Sequence, residues 1–438
     1  MKLRYLLFLF AVAAFNQTLC SLSIDSLKEE RFSIHGQTTV ITQDKPSFHA
    51  KYSGANSLSS KKETKTSITA TLFLGARLWN GAGFFLSPEI AGGSGLSGSL
   101  GVAASTNGET YRVSDSAPSF EMGRIYFNQI IPLSKQRVYQ TDDVDQLNGK
   151  IPTKYIALTI GKISVTDIFD ANKYSHDPRT QFMSWGLMNN GAWDFAANTK
   201  GYTPSFVAEW VTPQNALRYG FSLLPKEANA MDMNWNVGKA CANYIEYTHN
   251  YSLAGEKGAV RLLSYLNRAN MGSYRESLEL DPASPDIIKT EKNGRIKYGF
   301  GVNAEQDLND FMGMFFRASW NDGHTETWAY TEMDQTASIG LVANGSRWNR
   351  KSDNIGLATV VSGLSNSHRD YLKAGGLGFE LGDGNLNYGL ENVTELYYSF
   401  ALKDNLFISG AYQFIVNPGY NVNRGPVNVF SIRIHAAF

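Results

Sequence analysis

Arg77, Glu89, Arg124, Glu209, Arg218, Glu246, Lys297, Glu305, Arg317, Glu395 and Arg433 share one property. Each falls out of phase with apolar neighbours that recur at every second position. Alternate residues of a strand point to opposite faces, so these charges face away from the apolar set. Guanidinium groups donate hydrogen bonds and carboxylates accept them. A wall carrying both is a poor filter for ions of one sign; it suits a polar, uncharged solute that donates and accepts in turn. On a lipid-facing side an Arg or Lys at mid-depth costs about 2–4 kcal/mol. These residues are therefore expected to line a water-filled lumen.

A second group is Asp167, Asp170, Lys173, His176, Asp177 and Arg179, followed by Trp185, Asn189, Asn190, Trp193 and Asp194. Most of it lies in Phe169 to Gly201, which shows little alternation and is far longer than ordinary connections. Two readings stand. Folded into the lumen, the segment narrows a channel; outside it, the segment is a solvated cap. Bond-breaking chemistry has weaker candidates. Asp322-Gly323-His324-Thr325-Glu326 and His368-Arg369-Asp370 are local clusters with no partner at a defined spacing. Asp143, Asp145 and Asn148-Gly149 have the wrong intervals for a calcium loop, and no nucleophile motif occurs in a strand–turn–helix setting. No catalytic residue, metal site or cofactor is expected.

The elements that must position these residues are strands. Ile68, Ala70, Leu72, Leu74, Ala76 and Leu78 alternate with Thr69, Thr71, Phe73, Gly75 and Arg77, and Asn80-Gly81 then signals a hairpin. Similar runs recur at Ile156–Ile160, Phe206–Trp210, Leu217–Leu223, Met312–Trp320 and Leu396–Leu402. The chain closes on Phe430, Ile432, Ile434, Ala436 and Phe438, with Ser431, Arg433 and His435 between them. Weaker candidates bring the number to about 16 strands, or roughly 18. Lipid offers no water to free backbone groups, so such a sheet must close on itself. A barrel of about 16 strands is too wide for side chains to fill. The expected fold is all-β, a closed antiparallel transmembrane β-barrel.

The chain ends and composition agree. Lys2 and Arg4 followed by the apolar Leu6–Ala14 read as a signal peptide over residues 1–20, too short for a bilayer span of about 20 residues. Cleavage is expected between Ala14 and Ser21. Lipidation at Cys20 is rejected, because Leu19 is bulky and Gln17 polar where a lipoprotein site needs small and aliphatic residues. Cys241 is then the remaining cysteine, so no internal disulfide is expected. Basic and acidic residues balance at 40 each, which gives no footprint for nucleic acid or a polybasic membrane patch. Residues 21–65 are read as an N-terminal segment with the first strand or a periplasmic extension; within them 43–66 are a mobile loop or part of that extension. Residues 66–438 are read as the barrel.

The stretch Gly161-Lys162-Ile163-Ser164-Val165-Thr166-Asp167-Ile168-Phe169-Asp170, with His176-Asp177-Pro178-Arg179-Thr180-Gln181-Phe182, resembles the signature of the carbohydrate-selective porin family (OprB type). Further matches are Gly191-Ala192-Trp193-Asp194-Phe195, Met271-Gly272-Ser273-Tyr274, Trp320-Asn321-Asp322-Gly323, Ser367-His368-Arg369-Asp370-Tyr371 and Arg424-Gly425-Pro426. The resemblance spans roughly residues 66–438. It implies an outer-membrane barrel passing sugars, with inward loops and arginine and acidic residues at the narrow point. Asp167 to Arg179 matches a family motif, which favours a place in or beside the constriction. The expected partners are sugars or other small polar solutes, outer-membrane lipids, and the barrel-assembly machinery reading Phe438. A homotrimer is one assembly open to such a barrel. The runner-up solutes are amino acids or organic ions; a barrel-borne enzyme or a plugged adhesin are the rivals of another class.

Overall fold

The computed structural model describes residues 29–110 and 117–438; the expected signal peptide and Cys20 lie outside the described residues. β1 (Phe32–Lys45), β2 (Glu63–Trp79), β3 (Ala82–Gly93) and β4 (Ser119–Pro132) come first. A small hairpin, β5 (Arg137–Gln140) with β6 (Gly149–Pro152), precedes β7 (Tyr155–Ile163), β8 (Thr203–Val211), β9 (Asn215–Ser222) and β10 (Cys241–Leu253). Then follow β11 (Glu256–Ala269), β12 (Arg295–Asp307), β13 (Met312–Asn321) and β14 (Gln335–Gly345). β15 (Arg350–Gly363), β16 (Glu391–Lys403), β17 (Leu406–Val416) and β18 (Val427–Ala437) complete the order.

Each wall strand pairs antiparallel with its neighbour, β4 pairs with β7, and β18 returns to β1, so 16 strands close a barrel. The hairpin β5–β6 forms a separate two-stranded sheet. At the closing seam Gln37 faces Ala437 and Asp44 faces Phe430. The main chains of Gly36 and Phe438 exchange hydrogen bonds of 3.0 and 2.9 Å there. Residues 43–66 divide between the end of β1, a connection over 46–62, and the start of β2.

The pleat explains the two surfaces. Phe430 and Ile432 of β18 are 51% and 60% exposed, whereas Arg433 between Ile432 and Ile434 is fully buried. Exposed apolar side chains in contiguous bands belong against lipid. Connections at the Phe438 end are short, as at 80–81, 254–255 and 404–405, with 133–154 the exception. Those at the opposite end are long, including 94–118, 164–202 and 364–390. They set a turn end and a loop end.

The interior is not simply open. Residues 164–202 descend from the loop end and are mostly buried, with Asp167, Lys173 and Thr180 exposed. Phe182, Met183 and Leu187 join a core with Phe315, Val360, Val393, Tyr397, Ile415 and Val429 from the wall. Phe169, Trp193 and Phe195 join a second core with Ala242, Tyr244, Leu263 and Tyr265. The segment therefore leans on the β10–β18 side, where the inward positions are apolar or aromatic.

Those inward aromatics fit because glycine stands opposite them across the ladder: Gly220 faces Tyr244, Gly340 faces Phe315 and Gly356 faces Tyr397. A Cβ on Gly340 would lie 2.3 Å from the Phe315 ring and 2.6 Å from Ala358 Cβ. Phe315 is fully buried against Phe182, so its ring has nowhere to swing. Gly340→Ala is expected to cost about 1–3 kcal/mol by overpacking, seen as a lower unfolding temperature of the detergent-solubilised barrel. Gly410→Ala, where a Cβ meets nothing within 4 Å, is the matched control and should leave that temperature unmoved.

Candidate permeation pathway

Most charges read as inward-facing meet the segment 164–202 or each other. Arg317 of β13 is 1% exposed. It pairs with Asp170 at 3.2 Å and donates to the carbonyls of Leu187 (2.9 Å), Asp170 (3.2 Å) and Ser175 (2.6 Å). Arg433 of β18 donates to the carbonyls of Pro178 (2.8 Å), Thr180 (3.0 Å) and Gln181 (2.6 Å). Glu395 of β16 accepts the N–H groups of Met183 and Ser184 at 2.7 and 2.8 Å. Glu246 of β10 accepts the Asp170 N–H at 2.7 Å, and Glu305 of β12 accepts that of Lys173 at 2.7 Å. An irregular backbone inside a barrel leaves donors and acceptors unmet. These wall charges meet them with charge-assisted bonds.

Others form ladders along the wall. Glu209, Arg218 and Glu246 stand directly opposite one another on β8, β9 and β10, joined at 2.9 and 3.1 Å. Lys297 of β12 is fully buried and donates to Thr327 Oγ1 at 3.2 Å, beneath the 322–334 connection.

On the β1–β8 side a cavity of about 840 Å³ remains, within the range of small-molecule sites. Arg77, Arg124 and Glu209 of the wall line it, facing Asp167, His176, Asp177 and Arg179 of the inward segment. The tip of the hairpin, Asp143 to Leu147, lines it as well. Arg124 grips Asp167 with two hydrogen bonds of 2.7 and 2.6 Å. Arg179 is buried between Glu109 (2.8 Å) and Glu89 (2.9 Å), and those two carboxylates also take hydroxyl donors from Thr69 and Thr71. Burial pushes the Asp177 carboxyl up, but the Arg179 guanidinium and N–H bring it below the usual range. Burial and the Arg317 charge keep the His176 imidazole below its ordinary value.

The sequence-predicted residues thus fall in two places. Arg77, Arg124, Glu209, Asp167, His176, Asp177 and Arg179 meet at the cavity. Glu89 contacts Arg179 at its edge. Arg218, Glu246, Glu305, Arg317, Glu395, Arg433 and Asp170 are held in ion pairs and main-chain hydrogen bonds instead, with Lys297 near the loop end. Lys173 is largely exposed and pairs with Asp307 at 2.8 Å.

Sequence reasoning missed several participants. Glu109 comes from a second inward stretch, 102–110, pinned where Glu391 accepts the N–H groups of Ala103 and Ala104 at 3.1 and 2.8 Å. Asp194 collects the N–H groups of Trp328, Ala329 and Tyr330 at 2.8–3.0 Å. Asp194 was named in the long segment and in the Gly191–Phe195 motif; what sequence reasoning missed was its role. The hairpin carrying Asp145, 3.4 Å from Arg124, had no such motif. Among the described residues no three His, Cys, Asp or Glu side chains converge as metal ligands.

The high-pH structure of Pseudomonas putida OprB superposes with a TM-score of 0.71 at 16% identity, covering 93% of this chain and 94% of that one. The low-pH structure of Pseudomonas putida OprB gives 0.51 at 12% identity, covering 93% and 92%. The outer membrane channel DcaP of Acinetobacter baumannii gives 0.50 at 10% identity, covering 94% and 100%. No curated protein matches the sequence. At these identities the structures establish the shared barrel. The family description "Carbohydrate-selective porin, OprB family" matches residues 55–438, nearly the whole chain. The chain belongs to the OprB family of carbohydrate-selective porins, outer-membrane channels for carbohydrates.

Proposed function

We propose that uncharged sugars cross through the cavity between the β1–β8 wall and the inward segment. Arg77, Arg124 and Arg179 donate to sugar hydroxyls there, and Asp167, Asp177 and Glu209 accept from them. The observation that carries this reading is the meeting of both charge signs at one cavity, from separate stretches of chain. A hydroxyl donates and accepts, so a sugar satisfies either sign in passing, whereas an ion of one sign is repelled by half the wall. The remaining predicted charges, Glu89, Arg218, Glu246, Lys297, Glu305, Arg317, Glu395 and Arg433, act in this scheme by holding the inward segment, the loops and the wall at fixed spacing. Asp170 and Lys173 act with them. Each chain encloses its own path, so permeation is a property of one barrel whatever its association, a homotrimer included. Phe438, which seals the seam against Gly36, is the element the assembly machinery would read.

Liposome swelling tests the solute class. A neutral hexose should enter several-fold faster than a hexuronate or an aminohexose of the same size, with a zwitterionic amino acid between them. Equal rates for all four would remove the charge argument.

A further inference from the structure

Short connections at the periplasmic end run to two to four residues, yet β4 and β7 are joined by 133–154. A chain reversal between adjacent strands needs only a two-residue turn, and here the ends already meet, with Leu133 N–H donating to Lys154 at 2.8 Å. β5 and β6 pair only with each other, so the hairpin adds nothing to the wall. Its tip instead turns into the lumen. Asp142 accepts from Ser33 of β1 at 2.9 Å and lies 2.9 Å from His35 Nε2. Asp145 reaches Arg124 of β4 and Ser87 of β3, both at 3.4 Å. Leu147 is buried beside Gly75 and Gly83, and the Asn148 carbonyl accepts from Arg77 of β2.

Four wall strands thus tether a tip that also lines the cavity. Arg124 holds Asp145 from the periplasmic side and Asp167 from the inward segment at once. A turn with a merely connecting role would stay in solvent; this one buries Leu147 and Asn148 and matches the partly exposed Asp142 and Asp145 to wall donors.

We infer that the β5–β6 hairpin is a second, periplasmic constriction that sets the size limit for solutes leaving the lumen, with Asp142 and Asp145 as its specificity-determining anchors. This rests on the cavity being the sugar path. A solute must pass between the tip and the inward segment, and both edges of that gap are fixed by one guanidinium. Among the described residues that line the cavity, the tip belongs to neither the wall strands nor the loop-end core. Its docking therefore sets the width.

Acidity should act on it in a defined direction. Burial, with the Asp167 charge adding to it, pushes the Asp145 carboxyl up to about 6, against the opposing pull of Arg124, Ser87 and His35. An undocked tip returns Asp145 to the ordinary carboxylate range near 3.8, so docking takes up a proton between those values. Stability of the docked state rises as pH falls through about 6.

The test replaces Ser134–Thr153 with Asn-Gly, joining Leu133 to Lys154, and compares single-channel conductance and swelling rates with the wild type. The expected result is at least a twofold rise in conductance and entry of trisaccharides that the wild type excludes. A shortened barrel that is heat-modifiable on gels but keeps its conductance and size limit overturns the inference. Should the shortened chain not assemble, Asp142→Ala with Asp145→Ala frees the tip without shortening the chain, and the same two outcomes decide. Wild-type conductance should fall between pH 7.5 and pH 5, and Asp145→Asn should abolish that fall; the same fall in the variant counts against the latch. These comparisons concern size, so they are independent of whether neutral solutes outrun charged ones in the wild type, which is what the sugar path predicts.

Discussion

Arg317→Ala releases the inward segment from the wall and raises single-channel conductance at least threefold, while the barrel itself stays closed. The expectation follows from what Arg317 holds. One fully buried guanidinium supplies the charge opposite Asp170 and donors for three carbonyls spread over residues 170–187. Removing one partner of a buried ion pair costs about 3–5 kcal/mol, because the other charge is left uncompensated. Asp170 keeps neutral donors from Asn190 and Asn303, which do not replace a cation. The 16 strands are joined by their own ladders, none of which uses Arg317's side chain. The loss therefore falls on the docking of the segment. Arg317→Lys should be intermediate, since an ammonium is a point charge that cannot reach the same spread of acceptors. Arg317→Met with Asp170→Asn removes both charges and should recover part of the block. Planar-bilayer conductance and trypsin cleavage after Lys173 or Arg179 report the segment, and heat-modifiability reports the wall. A variant with unchanged conductance and no new cleavage would mean the apolar contacts hold the segment alone.

Arg179→Ala carries the second large effect, on discrimination. Arg179 lies between Glu89 and Glu109 at the cavity, and all three are nearly inaccessible. Without it two buried carboxylates share one site beside the hydroxyl donors of Thr69, Thr71 and Tyr202, a loss again of about 3–5 kcal/mol. The cavity keeps its acidic groups and loses a donor. Organic anions should then fall behind neutral sugars by roughly a further tenfold, the factor that 1.4 kcal/mol makes. Glu109→Gln in the same chain should restore most of the wild-type ratio by removing the surplus charge. Reversal-potential and swelling measurements read both. An anion rate that rises relative to sugars would show that Arg179 is a structural tie remote from the solute.

These effects depend on where period-two patterning stopped being informative. Phe430, Ile432 and Ile434 against Ser431, Arg433 and His435 showed two faces of β18 from alternation alone, and Glu89 and Arg317 are likewise buried between apolar neighbours on their strands. Alternation is a property of consecutive residues, so a local sequence reveals it. What each inward charge meets is another matter. Arg433 touches the carbonyls of Pro178 to Gln181, far along the chain, and no spacing encodes that meeting. Aromatic residues divide in the same way. Trp79, Phe300 and Trp320 face outward and are exposed, while Tyr244, Phe315 and Tyr397 face inward over glycines of the next strand.

By itself, then, the sequence determined an exported chain of alternating strands that must close, because unpaired backbone groups find no partner in lipid. It also set an apolar face apart from a polar one on those strands. Only the tertiary structure decided that much of the inward face is taken up by residues 164–202 and 102–110, that a cavity remains along β1 to β8, and that the tip of the β5–β6 hairpin lines it. The physical reason is one of range. Strand faces follow from neighbours two residues apart, whereas the width of the lumen follows from ion pairs and ring contacts between segments that only barrel closure brings together.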